Sequence, residues 1–335
     1  MIFCFLDYRM LKKIITREYN YQDIFLRPRQ TIVNSRKECD TSIILGKHKF
    51  IMPVYPSNMK SVVNPSTCEF LARRGWFYTM HRFGVKLVEF VRHMQEQSLV
   101  ASISLGVNED TLNQLRQLQN AGLTPEFMTL DVANAWCPKA EAMIKYAKDH
   151  FNSFLIVGNI ASQEAAREIH AWGADAIKAG IAGGRVCITK NKTGFHRPMV
   201  STILDCATYT RQAGIPLIAD GGIVEHGDIA KAFACGANLV MAGSLFAGYD
   251  QSAGDVIEVT LDGVAPRAYK EYYGSASQYN KGEYKNVEGK KILIDYRGNM
   301  ERLLLELQED LQSSISYVGG TTLADLIQAE LICIN

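Results

Sequence analysis

The chain has 335 residues, with 36 Lys+Arg against 35 Asp+Glu, a formal net charge of +1, 47% hydrophobic and 21% charged residues. That length holds a large core, either one α/β barrel or two ordinary domains, and so even a charge balance offers no field that would draw nucleic acid or a membrane surface. Eight cysteines (Cys4, Cys39, Cys68, Cys137, Cys187, Cys206, Cys235, Cys333) include no C-x-x-C pair, which excludes zinc-type spacing and points to reduced thiols of a cytoplasmic protein rather than a disulfide framework.

The opening MIFCFLDYRML is apolar but short, carries Asp7 and Arg9 and lacks a small-residue cleavage site, which argues against a signal peptide or membrane span. Met10 offers an alternative start, so residues 1–20 read as an N-terminal extension and 21–335 as a single domain. Asp23–Arg29 and the polar stretch Asn34–Thr41 form an entry arm. From there a unit repeats: an apolar run of strand length, a loop of Gly, Asn, Asp or Ser, then an amphipathic helix. The runs are Phe50–Tyr55, Trp76–Met80, Leu99–Leu105, Glu126–Leu130, Ser153–Val157, Ala174–Ala179, Ile215–Ala219 and Asn238–Met241. The helical stretches include Pro65–Arg74, Val85–Gln97, Glu109–Ala121, Cys137–Lys148, Gln163–Trp172, Val200–Ala213 and Gly227–Cys235.

Runs alternating with helices predict a parallel sheet, and eight of them, apolar on consecutive positions as doubly covered strands should be, predict a closed (β/α)8 TIM barrel. A barrel places its active site at the C-terminal ends of the strands. Those ends carry Ser57-Asn58-Met59, His81-Arg82, Ser104 with Gly106, Asp131–Asn134, Gly158-Asn159, the Cys187 loop, Asp220-Gly221-Gly222 and Gly243-Ser244. Nearly all are polar or glycine. The two glycine pairs at the last two strand ends suit a phosphate on backbone N–H groups, and Asp220 suits vicinal ribose hydroxyls; ordinary strand–helix turns are the alternative.

The chemistry centres on Ala174–Pro198. Here an apolar run ends in a loop with Gly180, Gly183 and Gly184, followed by Cys187, Thr189, Lys190 and Lys192. Glycines allow close approach of backbone to a ligand, and a cysteine among cations favours the nucleophilic thiolate. By itself the stretch favours a tight turn with a half-buried cysteine, a balance that the rest of the chain reverses. Gly248–Met300 breaks the alternation and reads as an insertion after the eighth strand, with a flap at about 271–298 that folds over the barrel mouth to exclude water; a surface excursion is the alternative. Asn299–Leu311 is an amphipathic helix, and Ser313–Gly320 reads as a polar loop.

The segments IFLRPR, NSRKECD, SNM, DVAN, VGN, GADAIK, VCITKNKTG, IADGG, MAGSLFAG, YYGSAS, VEGKK and DLQSSISYVGG, in this order from about Tyr21 to Gly320, make the chain resemble the IMP dehydrogenase/GMP reductase family. No regulatory CBS insertion interrupts it. Gln278-Tyr279 stands where the dehydrogenase carries the Arg-Tyr pair that it needs for hydrolysis, so the likeness is greater to the reductase side. The resemblance implies an NADPH-dependent oxidoreductase that converts GMP to IMP and ammonia in purine salvage, working as a homotetramer. A dehydrogenase lacking the CBS insertion and an inactive nucleotide-binding barrel are the alternatives.

By the same resemblance Cys187 attacks C2, and Thr189 with Glu288 relays the proton to the leaving amine. Asp220, Gly221, Gly222, Gly243, Ser244, Gly274, Ser275, Ala276, Lys285 and Gly289 bind the nucleotide. Arg82, Asp131, Val132, Ala133, Ile181, Ala182 and Tyr284 line the cofactor side, with Ser35, Arg36, Ser313, Ser314 and Ser316 supplied by a neighbouring subunit. Arg36 is either the partner of the cofactor's 2′-phosphate or a solvated surface charge. Potassium would sit on carbonyls of Ala182, Gly184 and Cys187. The chain departs from the family at Ala182-Gly183, for Gly-Pro, and at Arg185, His196-Arg197, Ala135-Trp136 and Lys60.

Overall fold

Among the residues that the computed structural model describes (17–260, 266–282 and 287–334), seven parallel strands form one curled sheet. They are Val54–Pro56, Ser102–Leu105, Phe127–Asp131, Phe154–Ile160, Ala176–Ala179, Leu217–Asp220 and Leu239–Ala242. From Ser102–Leu105 onward each pairs with its successor, and the last pairs with the first, Val240 opposite Val54. With helices between the strands this is the (β/α)8 barrel that the alternating pattern predicts.

One run departs from that pattern. Residues 76–80 contribute a single parallel bridge, Met80 opposite Ile103, instead of a ladder. The reason is local. Tyr78 Oη donates to Val100 O at 2.6 Å and accepts from Ser102 N at 3.3 Å, so a side chain takes groups that a neighbouring strand would otherwise pair.

Helix ends follow chemistry visible in the chain. Asn64, Asn108 and Ser162 accept from the backbone N–H of Thr67, Thr111 and Ala165 at 2.8, 3.1 and 3.3 Å, satisfying donors that a first helical turn leaves open. Gly173 and Gly214, at φ 118° and 69°, end the helices Gln163–Trp172 and Met199–Ala213 in the left-handed region.

The barrel filling changes character from one end to the other. The hairpin Ile43–Leu45/His48–Phe50 precedes the first strand, and its Phe50 packs edge-on against Phe77 and Phe127 with ring centroids 5.1 and 5.8 Å apart. Ile156, Ile218 and Leu239 complete this buried apolar layer. Towards the C-terminal ends the buried side chains become Thr79, Ser104, Thr129 and finally Lys178.

Two further segments position the site. The insertion is a three-stranded antiparallel sheet, Val256–Val259, Arg267–Tyr273 and Lys291–Asp295. The entry arm's Ile24–Leu26 pairs antiparallel with Leu331–Cys333. Ser313–Gly320 is not the expected loop: the last helix runs Glu301–Tyr317 and ends before Gly319 at φ 77°. Ser313 and Ser314 donate back to the carbonyls of Glu309 and Asp310, both at 2.9 Å, while Ile315 and Ser316 are buried. Serine hydroxyls that bond within their own helix make a polar stretch compatible with it. No described helix is long and apolar enough to cross a membrane.

Tyr78→Phe should destabilise the fold by about 1–3 kcal/mol, because it leaves a buried carbonyl and N–H unpartnered. Urea unfolding measures this directly, and an unchanged midpoint would contradict it.

Candidate active site

A cavity of about 440 Å³ opens at the C-terminal ends of the strands, between the Cys187 loop and the insertion. Cys187 Sγ lies 3.2 Å from Thr189 Oγ1, and Thr189 Oγ1 donates to Glu288 Oε2 at 2.6 Å. Ninety-nine residues separate Thr189 from Glu288 in sequence. Backbone pairing brings them together: Ile188 N–H donates to Glu288 O at 2.8 Å and Lys290 N–H to Val186 O at 2.9 Å. Within the insertion, Glu288 N–H donates to Ala276 O at 3.0 Å.

Two glycines are required by close approach. A Cβ at Gly180, whose φ is 142°, would run into Asp220 O, and one at Gly243 would run into Tyr272 Oη. Tyr272 reaches from the insertion into the barrel mouth, where burial raises the pKa of its phenol, Asp220 adds to the rise and Arg185 opposes it. Ala182 sits at φ 61°, a left-handed conformation costing roughly 1–2 kcal/mol for a residue with a Cβ. His196 Nδ1 lies 2.9 Å from Ile181 O, and Arg197 joins Glu18 and Asp205.

Beneath the cavity lies the strongest electrostatic feature of the site. Lys178, fully buried, donates to Asp131 Oδ1 at 2.8 Å, to Asp220 Oδ2 at 2.6 Å and to Asn159 Oδ1. Burial alone would lower the lysine's pKa, but the two carboxylates outweigh it and raise it to about 12. Asp131 is held below the usual carboxylate range: burial pushes it up, and Lys178, Arg82 and Asn58 outweigh that.

The predicted site residues divide into two groups. Cys187, Thr189, Glu288, Asp220, Gly221, Gly222, Gly243, Ser244, Gly274, Ser275, Ala276 and Gly289 line the one cavity, as do Arg82, Asp131, Val132, Ala133, Ile181, Ala182 and Gly184. Ser35, Arg36, Ser313, Ser314 and Ser316 do not. Arg36 instead donates to Ser313 Oγ at 2.9 Å and Tyr317 Oη at 3.2 Å, and Thr31 bonds Ser316 at 2.8 Å, forming a separate cluster. Tyr284, Lys285 and residues 1–16 lie outside the described residues. Trp136 stands on the rim, 43% exposed, with its indole N–H on Glu168 at 2.7 Å.

Lys178 was not singled out from the sequence, although a signal exists. A lone lysine in the apolar strand Ala176–Ala179 is tenable only with carboxylates nearby.

His81, buried at the end of the 76–80 run, accepts from Phe83 N–H on Nδ1 at 3.1 Å. Burial, helped by Lys60 and Arg82, lowers its pKa from 6.5 to about 4. Below the unfolded value the unfolded chain binds a proton that the native ring refuses, so stability falls as pH drops through this window. The loss amounts to roughly 3 kcal/mol at most. Urea midpoints between those pH values should slope for the native sequence and flatten in His81→Gln; equal slopes would contradict this.

The family model described as "IMP dehydrogenase / GMP reductase domain" matches residues 18–334. A protein of Chromobacterium violaceum named GMP reductase is 67% identical over 320 residues, 95% of this chain and 99% of its own length. Proteins of the same name from Bacillus thuringiensis subsp. konkukian and Helicobacter pylori are each 47% identical, covering 95% of this chain and 96% of their own. With its barrel and Cys187 loop in place, the chain belongs to the IMP dehydrogenase / GMP reductase family of oxidoreductases.

Proposed function

We propose that the chain catalyses the reductive deamination of GMP, GMP + NADPH + H⁺ → IMP + NADP⁺ + NH₃, in cytoplasmic purine salvage. The observation that carries this is the continuous contact chain from Cys187 through Thr189 to Glu288. Relatives named GMP reductase at 67% and 47% identity support it.

Cys187 attacks C2 of the purine and forms the C2–S bond. Its proton passes through Thr189 to Glu288 and from there to the exocyclic amine, so that the C2–N bond breaks and ammonia leaves. A reduced nicotinamide dinucleotide, which Arg82, Asp131, Val132 and Ala133 would hold, would supply the hydride that C2 needs. The C2–S bond then breaks, and Cys187 recovers a proton from solvent as IMP departs. Seating of the insertion over the loop keeps water from the covalent intermediate.

Asp220 Oδ1 accepts no hydrogen bond among the described residues, leaving it for the ribose hydroxyls. Backbone N–H groups of Gly221, Gly243 and Ser244 suit the phosphate, that of Gly222 donates to Gly183 O at 2.9 Å and holds the turn, and Gly274, Ser275, Ala276 and Gly289 approach from the insertion. On the cofactor side, Arg82 Nη1 is buried without a hydrogen-bond partner among the described residues, a donor suited to a cofactor oxygen. Asp131, Val132, Ala133, Ile181 and Ala182 would hold the nicotinamide end. The separate Arg36 cluster would serve a neighbouring cavity in a homotetramer, and Tyr284 and Lys285 complete the proposed contacts. For potassium, the loop offers the carbonyls of Ala182 and Cys187, while that of Gly184 accepts Cys187 N–H at 3.1 Å.

Cys187→Ala should abolish GMP-dependent NADPH oxidation while GMP still binds; retained turnover, or conversion of IMP and NAD⁺ to XMP by the native chain, would overturn the assignment. Glu288→Gln should slow ammonia release at least tenfold more than hydride exchange between IMP and NADP⁺, on the order expected for a lost acid–base group. Equal losses in the two assays would remove the relay.

A further inference from the structure

We infer that Lys178 is a positioning residue that couples the nucleotide half of the cavity to the cofactor half; the inference rests on the reaction proposed above. An ammonium has three N–H donors, and all three of Lys178 are committed, to Asp131, Asn159 and Asp220. These acceptors stand on three different strands, Phe127–Asp131, Phe154–Ile160 and Leu217–Asp220. Asn159 closes the network by donating to Asp220 Oδ2 at 2.9 Å and to Gly180 O at 2.6 Å. Asp131 Oδ2 accepts from Asn58 at 3.0 Å and faces Arg82 at 3.8 Å. Of the four carboxylate oxygens, Asp220 Oδ1 alone has no partner among the described residues.

Physical necessity supports a role in orientation. Two carboxylates facing one desolvated well repel, and without a cation one of them would take up a proton. Lys178 between them favours the ionised form of Asp131 and, by donating to both, fixes the rotation of the two carboxylates. A change in Asp220 on engaging a ribose is therefore felt at Asp131 on the cofactor side. The lysine's seat is itself built, since a Cβ on Gly158 would lie 2.6 Å from Lys178 Cβ. The other ionisable groups facing the carboxylates are Arg82 and the phenols of Tyr21, Tyr55 and Tyr272. Arg82 approaches Asp131 alone of the two carboxylates, and only at 3.8 Å; burial raises the pKa of all three phenols, so they stay neutral near pH 7 and cannot substitute for the ammonium.

The test uses the full-length chain with Lys178→Met and Lys178→Arg, checked for folding by thermal unfolding. In both variants KM for GMP and KM for NADPH should rise together, by about tenfold or more. Lys178→Met should also gain an ionisation above the ordinary carboxylate range, kcat/KM rising with pH as the carboxylate pair loses its extra proton; the native chain and Lys178→Arg should lack it. Values of both KM within twofold of native, a shift in only one of them, or a Lys178→Met profile that superimposes on the native one would overturn the inference. Should Lys178→Met fail to fold, the paired KM values of Lys178→Arg decide it. A native chain that does not oxidise NADPH with GMP removes the reaction and this inference together; native turnover with unaffected variants removes the inference alone.

Discussion

Two backbone hydrogen bonds, Ile188 N–H to Glu288 O and Lys290 N–H to Val186 O, hold the insertion against the cysteine loop, and the site depends on them. They fix a register in which Glu288 meets Thr189 and Gly289 stands opposite Cys187. A carboxylate placed by main-chain pairing is more accurately aimed than one on a free loop.

The barrel underneath supplies what the insertion cannot. Its N-terminal end is filled by Phe50, Phe77 and Phe127 and its C-terminal end by ions and amides, so one cylinder is a dry core at one end and a polar floor at the other. A buried ion pair adds little net stability, and breaking one is costly. Placing Lys178 between Asp131 and Asp220 thus does more to specify the geometry of the floor than to hold the fold together. Gly180 and Gly243 serve the same end by letting backbone and Tyr272 converge where a side chain would not fit.

Much of this was legible in the chain. Apolar runs separated by amphipathic stretches disclose a parallel barrel, and the polar strand ends disclose the face that bears the site. What escaped did so for identifiable reasons. The run Trp76–Met80 looks like its neighbours, but the Tyr78 hydroxyl competes for the ladder, a tertiary contact that no periodicity encodes. Ser313–Tyr317 looks like a loop by composition and is helix because its hydroxyls bond inward and Ile315 is buried. Lys178 escaped because its carboxylate partners lie 47 residues before it and 42 after it, and only the order of strands in the sheet brings them together.

The most direct measurement is the stoichiometry of the native chain with GMP and NADPH, following loss of the reduced-nicotinamide absorbance alongside ammonia released. Equal amounts of NADP⁺, IMP and ammonia are the predicted result. Ammonia without cofactor oxidation, or GMP bound with neither product formed, would contradict the assembly of cysteine, threonine and glutamate as a reductive deaminase.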